Sequence, residues 1–455
     1  GAALHKGHPM KRRRVFKGVL SMAYGKVVIA TVQLATVPVL ASSWGLPLYG
    51  QWLLLATVPV FLAAGDLGFG SAAGHRLIGE VAKGDDDAAR VTFQSAQAVV
   101  LALSVTILGL VAAISMVLPD HLLAVSRGLD AGEARGVLIV LSAYGIVAMN
   151  SNLFLAAMRA QGAFALSASF DATIQLVEGL AVLVVVLSGG TPMEAALTYL
   201  LIRSLGVAGH ATLARRRAGW LVLGFADAKR ARIHELLRPA LAAMLMPLAQ
   251  AVNLQGTALA VGAAAGAAVV PIFTSLRTLS RVALQLLFTV TLPVLPELTA
   301  EHARGNVSWV RSVIGALTTL NALVGAIAGL CLAFGGSWLL AVWTKGVISA
   351  PEPMIVLTAV GLVAGAVWNP MSQVLLALNQ HERFAYAYAA AAPAAVFLSF
   401  ALVSRWGVTG SAVASLLLDL AMLGLVFVQL RIVAGPFPLG RRALQVFIPE
   451  RRRPV

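Results

Sequence analysis

Residues 312–334 read SVIGALTTLNALVGAIAGLCLAF and contain no charged side chain. A helix that crosses the hydrocarbon core of a bilayer needs about 20 consecutive, mostly apolar residues. The run is long and continuous, without the alternation of period two that marks a membrane β-strand. This stretch therefore predicts a transmembrane helix, and the rest of the chain repeats its pattern.

The composition extends this prediction to the whole chain. Of 455 residues, 59% are hydrophobic and 12% are charged, whereas a soluble domain carries about 25% charged residues. We predict an all-α polytopic membrane protein with twelve transmembrane helices. Residues 1–9 have the character of a cloning remnant and are left out of the prediction. The predicted spans are residues 19–40, 46–66, 92–118, 137–158, 165–188, 194–214, 239–262, 268–298, 312–334, 353–378, 384–403 and 408–431.

The distribution of positive charge predicts the orientation. The net charge of +15 would suggest nucleic acid as a partner of a soluble protein, but here the cations cluster in the predicted loops. With the N-terminus in the cytoplasm, 26 of the 34 Lys and Arg residues fall inside, four fall outside and four lie within spans. By the positive-inside rule, both termini are predicted to be cytoplasmic, which an even number of spans requires. Nucleic acid is not an expected partner.

The two halves of the chain repeat each other. The loop stretch Glu80–Arg90 matches Glu301–Arg311. Two further pairs follow in the same order and at nearly the same spacing, Leu155–Phe164 with Leu375–Phe384 and Gly190 with Gly407. Six helices per copy is an even number, so the copies are predicted to form two lobes related by a parallel repeat. The predicted divisions are an N-terminal lobe at 10–214, a basic cytoplasmic linker at 215–238, a C-terminal lobe at 239–432 and a basic cytoplasmic tail at 433–455.

The motifs of soluble enzymes are missing from the sequence. There is no Walker lysine loop and no His-Glu-x-x-His motif, and the single cysteine, Cys331, excludes a paired-cysteine metal site. We therefore expect no enzyme activity, no cofactor and no structural metal.

Two stretches resemble a known transporter superfamily. Gly65-Asp-Leu-Gly-Phe-Gly-Ser-Ala72 resembles a motif of polysaccharide exporters. Ser280-Arg-Val-Ala-Leu-Gln285, followed by Leu292-Pro-Val-Leu-Pro296 and Gly305-Asn306, resembles an eighth-helix motif shared with lipid II flippases. The chain is thereby similar to the multidrug/oligosaccharidyl-lipid/polysaccharide (MOP) exporter superfamily, in its polysaccharide-transporter or O-antigen flippase (Wzx-type) branch. The motifs cover under a tenth of the chain.

The resemblance implies a function and its partners. It implies a flippase that moves an undecaprenyl-pyrophosphate-linked oligosaccharide from the cytoplasmic to the outer leaflet of the bacterial inner membrane by alternating access. Lipid II flippases carry two further C-terminal helices, so the twelve-helix pattern is nearer the polysaccharide exporters. The implied partners are the lipid-linked oligosaccharide, membrane lipids and the polysaccharide polymerase machinery, and the transporter is expected to be a monomer driven by Na⁺, H⁺ or the membrane potential.

Charged residues within the spans are the candidate site residues, because a charge in hydrocarbon is costly and usually faces a cavity or a partner. Arg277 and Arg281 share one face of the eighth span through their i, i+4 spacing. With Lys26 and Arg203 they are predicted to converge on the substrate pyrophosphate, which arginine grips bidentately. The alternative for Arg203 is an ion pair with Glu178 on the neighbouring span.

The acids and amides within spans leave two interpretations open. Asp171 and Glu178, on one helix face with Gln175, and Asp419 in the last span either bind a coupling ion or pair with the cations. Asn150 and Asn369, each in the fourth span of its half, either contact sugar hydroxyls or join neighbouring helices by hydrogen bonds.

Two other functions compete with the flippase. A cation-coupled multidrug exporter of the same superfamily would favour an acidic cavity, whereas the mid-span cations here equal or outnumber the acids. A membrane-embedded glycosyltransferase or ligase would need a large outer loop, and the predicted outer loops are short.

Overall fold

The computed structural model describes residues 9–63, 68–125, 127–440 and 443, and among them there is helix but no strand. The predicted all-α fold class is confirmed. The helices are α1 (Pro9–Leu55), α2 (Thr57–Ala63), α3 (Phe69–Ala82), α4 (Asp86–Val117), α5 (Asp120–Leu123), α6 (Ala131–Ala160), α7 (Phe164–Leu187), α8 (Pro192–Arg217), α9 (Arg230–Ala251), a π-helix (Val252–Gly256), α10 (Thr257–Ala265), a 3₁₀ turn (Ala267–Val269), α11 (Val270–Thr291), a 3₁₀ turn (Leu292–Val294), α12 (Leu295–Ala303), α13 (Val307–Trp343), α14 (Glu352–Ala377), α15 (Glu382–Trp406) and α16 (Thr409–Ala434).

The helices are long and apolar enough for a multi-pass membrane protein. Nine helical stretches of the described residues reach the length and hydropathy of a membrane span. One of them, Leu20–Leu62, is interrupted at Gly45, whose backbone is far from helical (φ 72°, ψ 167°), and so contains the first two predicted spans. The predicted spans 194–214 and 239–262 are also helical, as α8 and as α9 to α10, but are more polar. With these, twelve helical segments correspond to the twelve predicted spans.

Helix α3 corrects the sequence prediction, which placed residues 67–91 in a loop. Phe69, Ala72, Ala73 and Leu77 recur with helical spacing and are buried in the core. The helix is too short, and with Arg76 too polar, to be recognised as a membrane span. Helix α3 is a separate helix that begins after the left-handed Gly68 (φ 74°), and uniform hydropathy does not signal it because it is amphipathic.

Contacts divide the chain into two compact units, one up to Ala251 and one from Val252 onward. Helix α9 begins at Arg230, inside the segment predicted to be a linker, and packs in the first unit. The predicted lobe boundaries at 214 and 239 stay a prediction.

Several predicted features lie outside the described residues. They are residues 1–8, Gly65 to Leu67 of the exporter-like motif, Arg441 and Arg442, and residues 444–455 of the predicted tail.

The backbone of the two units repeats with the offset found in the sequence. Gly45 and Gly266, which are separated by the same offset as the repeated loop, both break a helix with positive φ and extended ψ (72° and 167°; 88° and 160°). Only glycine adopts this region without strain. The same offset relates Gly84 (φ 75°) to Gly305 (φ 76°) in the repeated loop.

The repeated loop is a helix stop followed by a helix start. After α3, the Asp85 amide donates to Glu80 O, and after α12 the Asn306 amide donates to Glu301 O, both over 3.0 Å. This bond, around a left-handed glycine, is the Schellman C-cap. Asp85 and Asn306 then cap the next helix by accepting from the amides of Ala88 and Trp309. The sequence similarity therefore encodes the same two caps in both units.

The segments that follow α8 and α16, the sixth predicted span of each half, both fold back onto their own unit. Helices α8 and α16 have 26 residues each and begin at equivalent positions of the repeat, Pro192 and Thr409. In the first unit, Trp220 is buried against Phe93 of α4, with ring centroids 6.2 Å apart. In the second unit, the amide of Gly440 donates to an α13 hydroxyl, Thr319 Oγ1, over 3.0 Å. The middle of the predicted linker is thus packed against its unit.

Candidate functional site

A cavity in the second unit brings the two predicted arginines together. Its volume is about 130 Å³, and it lies among the π-helix, α10, α11, α14 and α16. Arg277 and Arg281 line it from consecutive turns of α11, as their i, i+4 spacing predicts. The cavity is otherwise lined mainly by Leu, Ser, Thr and Gly residues, with one acid, Asp419.

Arg277 is held in place by the protein. Its Nη1 donates to the carbonyl oxygen of Leu254 over 2.6 Å, and its guanidinium lies 4.7 Å from the ring centroid of Phe273. Leu254 belongs to the π-helix Val252–Gly256, and such widened turns occur frequently at functional sites. The contacts fix the direction of the guanidinium and leave its charge without a carboxylate partner among the described residues.

Arg281 lines the same cavity. Within the described part of the chain, its guanidinium has neither an ion pair nor a hydrogen bond. A half-buried guanidinium with unused donors in a membrane protein favours an anionic ligand, because an unpaired charge is costly in a medium of low polarity.

Asp419 faces the cavity but does not neutralise the arginines. Its Oδ1 accepts from the indole Nε1 of Trp368 over 2.9 Å, and no ion pair joins it to either arginine in the described structure. A Cβ at Gly361 would lie 3.3 Å from Asp419 Oδ2, so glycine makes room for the carboxylate there. With two arginines and one aspartate, the cavity has a formal excess of one positive charge.

The first unit contains a buried charge cluster of the opposite sign. Arg203 on α8 is bonded to Glu178 on α7, with Nη2 2.7 Å from Oε2 and Nε 2.6 Å from Oε1. Its Nη1 also donates to Asp171 Oδ1 over 3.2 Å. Arg203 is 6% exposed and Glu178 is 2% exposed. Two acids on one arginine give this cluster a formal charge of −1.

Polar and aromatic side chains complete the surroundings of this cluster. Gln175 donates to Asp171 Oδ2 over 2.7 Å, and the Arg203 guanidinium lies 5.7 Å from the ring centroid of Tyr144. A cavity of about 200 Å³ beside Glu178 is lined by Gln33, Tyr144, Gln175 and Tyr199, among others. The acids therefore sit next to a space that is large enough for water or a small cation.

Structural comparison identifies the fold. An inward-facing multidrug resistance MATE family transporter of the MOP superfamily is similar with a TM-score of 0.70 and 14% identity, covering 92% of this chain and 98% of that one. Lipid II flippase MurJ, in an inward closed conformation, is similar with a TM-score of 0.71 and 13% identity over 94% of this chain and 89% of that one. The fold is that of MOP superfamily transporters.

A third similar structure is notable for the polarity of its binding pocket. It is a MOP superfamily transporter from Pyrococcus furiosus, for which the reverse polarity of the binding pocket suggests a different function. It matches with a TM-score of 0.65 and 14% identity, over 92% of this chain and 95% of that chain. No family profile and no curated protein sequence matches this chain. The MOP fold of this multi-pass membrane protein thus rests on the similarity of its structure to solved structures.

The remaining predicted site residues are not among those that line the arginine cavity. Lys26 is exposed on α1, and Arg203, Asp171 and Glu178 form the cluster of the first unit. Asn150 Nδ2 donates to Ser104 Oγ on α4 and to Ile146 O. Asn369 Nδ2 donates to Gly365 O on its own helix.

Three residues that position the charged groups were not predicted from the sequence. Trp368 holds Asp419, Leu254 holds Arg277 through its backbone, and Tyr144 faces Arg203. A tryptophan or tyrosine in the middle of an apolar span carries a polar group that needs a partner, and this signal could have singled out Trp368 and Tyr144. The π-helix leaves no comparable signal in the sequence.

Proposed function

We propose that this chain is a flippase of the bacterial inner membrane that moves an undecaprenyl-pyrophosphate-linked oligosaccharide by alternating access. The observation that carries the proposal is Arg281, which has no partner among the described residues and lies beside Arg277 in a small, mostly apolar cavity. A pyrophosphate cannot enter hydrocarbon without replacing its water by other partners. Two guanidinium groups on one helix face offer such partners, and their donors match phosphate oxygens bidentately.

The charge of the cavity distinguishes the proposal from cation export. Arg281 and Arg277 outnumber Asp419, so the cavity favours an anion over a cationic drug. The similar Pyrococcus furiosus transporter also has a pocket whose reverse polarity suggests a different function. A multidrug exporter remains the second candidate, favoured by the similarity to a multidrug resistance MATE transporter and by the Asp419 carboxylate in the cavity.

The cations outside the cavity and the acids have separate roles in this proposal. Lys26, which is exposed on the first helix, contributes to substrate binding, and the cluster of Asp171, Glu178 and Arg203 serves coupling to H⁺ or Na⁺. Asn150 and Asn369 contact the sugar only after they exchange their present hydrogen bonds. The chain carries out no covalent chemistry in this scheme.

A binding measurement tests the proposal. Purified protein in detergent is titrated with undecaprenyl pyrophosphate and, separately, with undecaprenyl monophosphate. We expect the pyrophosphate to bind more tightly, and Arg281→Ala to weaken it by about ten- to a hundredfold, since a hydrogen bond to a charged group contributes roughly 1.5–3 kcal/mol. Arg281→Lys keeps the charge but loses the fork, so it is expected to recover only part of the affinity.

The matched control is Arg405→Ala, which removes an exposed arginine from the last turn of α15. Its affinity should equal that of the wild type. Arg277→Ala and Lys26→Ala should weaken binding less than Arg281→Ala. Equal affinity of Arg281→Ala and the wild type for undecaprenyl pyrophosphate would contradict the proposal, and tight binding of a cationic drug that needs Asp419 would support the multidrug exporter instead.

A further inference from the structure

A second cavity in the second unit differs in character from the arginine cavity. It is a groove of about 670 Å³ among α13, α14, α16 and residues 439–440, within the range of about 300–1,000 Å³ typical of ligand pockets. Its lining is apolar apart from the hydroxyl groups of Thr318 and Thr319. Two of the apolar side chains that line it are exposed, Leu420 (46%) and Leu439 (47%). In a membrane protein, such a surface faces hydrocarbon.

Arg431 lies at one end of this groove. The groove residues Leu420, Gly424 and Phe427 lie on one face of α16, and Arg431 is the next residue on that face. The Arg431 guanidinium lies 5.3 Å from the ring centroid of Phe427. Arg431 is exposed and has no ion-pair partner among the described residues. The contact with Phe427 therefore holds an unpaired cation over the end of an apolar groove.

The depth of the groove fits one leaflet of a bilayer. Phe427 and Leu420 precede Arg431 on α16 by four and eleven residues, or roughly 6 and 17 Å at 1.5 Å per residue. Half of a hydrocarbon core is about 15 Å thick. A lipid whose phosphate lies at Arg431 would therefore have an acyl chain along the groove and within about one leaflet.

The first unit provides an internal comparison. When α8 and α16 are aligned from their first residues, Arg431 corresponds to Ala214, which is completely buried. Ala214 belongs to a core with Ala218, Trp220 and Leu221, whose segment covers it. The first unit thus closes this position with apolar side chains, whereas the second unit has a groove and a cation there. The fold itself does not require the groove.

We propose that this groove binds an anionic phospholipid of the leaflet on the basic side of the membrane, with an acyl chain among α13, α14 and α16 and the phosphate on Arg431. This site is separate from the substrate cavity and does not depend on the proposed flippase activity. Charge complementarity assigns the occupant, because a headgroup with a net negative charge gains more from Arg431 than a zwitterionic headgroup, whose own cation offsets the attraction. A cation near an anionic membrane surface is a common determinant of lipid preference.

Thermal unfolding of the purified protein in detergent tests the proposal with three defined lipids. They are phosphatidylglycerol, phosphatidylcholine with the same acyl chains, and undecaprenyl monophosphate. We expect phosphatidylglycerol to raise the Tm in a saturable way and phosphatidylcholine to do so only weakly. Arg431→Gln should reduce the apparent affinity for phosphatidylglycerol roughly five- to tenfold and remove most of the preference over phosphatidylcholine.

Two glycine substitutions separate groove binding from general effects. A Cβ at Gly424 or at Gly335 meets no atom within 4 Å, but only Gly424 lines the groove. Gly424→Phe should abolish the phosphatidylglycerol effect, while Gly335→Phe and Arg405→Gln should behave like the wild type. If Gly424→Phe does not fold, Ala322→Phe fills the same groove from α13.

The outcomes that would overturn the proposal are specific. Equal stabilisation by phosphatidylglycerol and phosphatidylcholine would contradict the proposed preference of Arg431 for an anionic headgroup. Stronger stabilisation by undecaprenyl monophosphate that is lost in both Arg431→Gln and Gly424→Phe would assign the groove to the transported lipid instead. A phosphatidylglycerol effect that survives both substitutions would place the lipid elsewhere.

Discussion

At the residue scale, Arg203 and Arg281 are similar in sequence and opposite in surroundings. Both lie within apolar spans, Arg203 as the only arginine of its span and Arg281 four residues after Arg277. The sequence makes both of them candidates for binding the substrate pyrophosphate, and for Arg203 it leaves an ion pair with Glu178 open as the alternative. The structure pairs Arg203 with Glu178 and Asp171 and leaves Arg281 in a cavity without a partner among the described residues. A pair depends on the rotation of two helices about their axes, which the sequence does not specify. The acid spacing on α7 made an ion pair conceivable, but the choice between partner and ligand needed coordinates.

The two arginines should therefore differ in their effect on stability. Arg203→Ala leaves the nearly inaccessible Glu178 without its partner and should destabilise the protein by roughly 3–5 kcal/mol, the cost of breaking a buried pair. The double variant Arg203→Ala/Glu178→Gln should recover part of the loss. Arg281→Ala, which removes no partner, should change the unfolding midpoint little. Thermal unfolding in one detergent compares all three, and a wild-type Tm for Arg203→Ala would contradict the assigned pair.

At the element scale, the sequence located helices well and their ends less well. Uniformly apolar runs such as residues 312–334 predicted the helices, because hydropathy is the property that a bilayer selects. Hydropathy did not predict α3, because an amphipathic helix is not uniformly apolar. It also predicted a linker up to residue 238, whereas α9 begins at Arg230. Helix α13 also extends well beyond the apolar run, from Val307 to Trp343. Hydropathy marks the part of a helix in lipid, whereas caps such as Asn306 mark where the helix begins.

Two glycines give a prediction at the element scale. Gly45 separates the first predicted span from the second, and Gly266 separates the seventh from the eighth. Gly45 and Gly266 have positive φ with open space or only ordinary contact around an added Cβ. Gly45→Ala and Gly266→Ala should each destabilise the protein by about 1–3 kcal/mol through backbone strain alone. Gly335→Ala, in a helix and equally unobstructed, should be neutral or slightly stabilising. The Tm of each variant is the readout, and a rise for Gly45→Ala like that for Gly335→Ala would refute the assigned break.

At the scale of the whole molecule, the repeat of the two units was predictable because the repeated motifs form helix caps, whose residue types can be recognised in the sequence. Short motifs that recur at a nearly constant offset correspond to the same helix stops and starts in both units. The differences between the units, such as the closed Ala214 core and the open groove under Arg431, arise from side chains outside those motifs. The sequence comparison therefore revealed the common framework but not the groove.

The orientation in the membrane that the charge distribution predicts is directly testable. After replacement of the exposed Cys331, single cysteines are placed at Arg217 and at Arg405, which lie in the last turns of α8 and α15. We expect a membrane-impermeant thiol reagent to label Arg405→Cys in intact cells and Arg217→Cys only after the membrane is opened. Labelling of both from the same side would contradict the predicted topology.

Surface polysaccharide in the native host shows whether this chain moves a lipid-linked oligosaccharide, whatever the sugar. Deletion of its gene should abolish one surface polysaccharide and leave its lipid-linked repeat unit accumulated on the cytoplasmic side. The wild-type chain should restore export, Arg281→Lys should restore it in part, and Arg281→Ala at the same protein level should not restore it. Full export by Arg281→Ala, or a deletion strain that keeps every polysaccharide and becomes sensitive to cationic drugs, would contradict the proposed flippase.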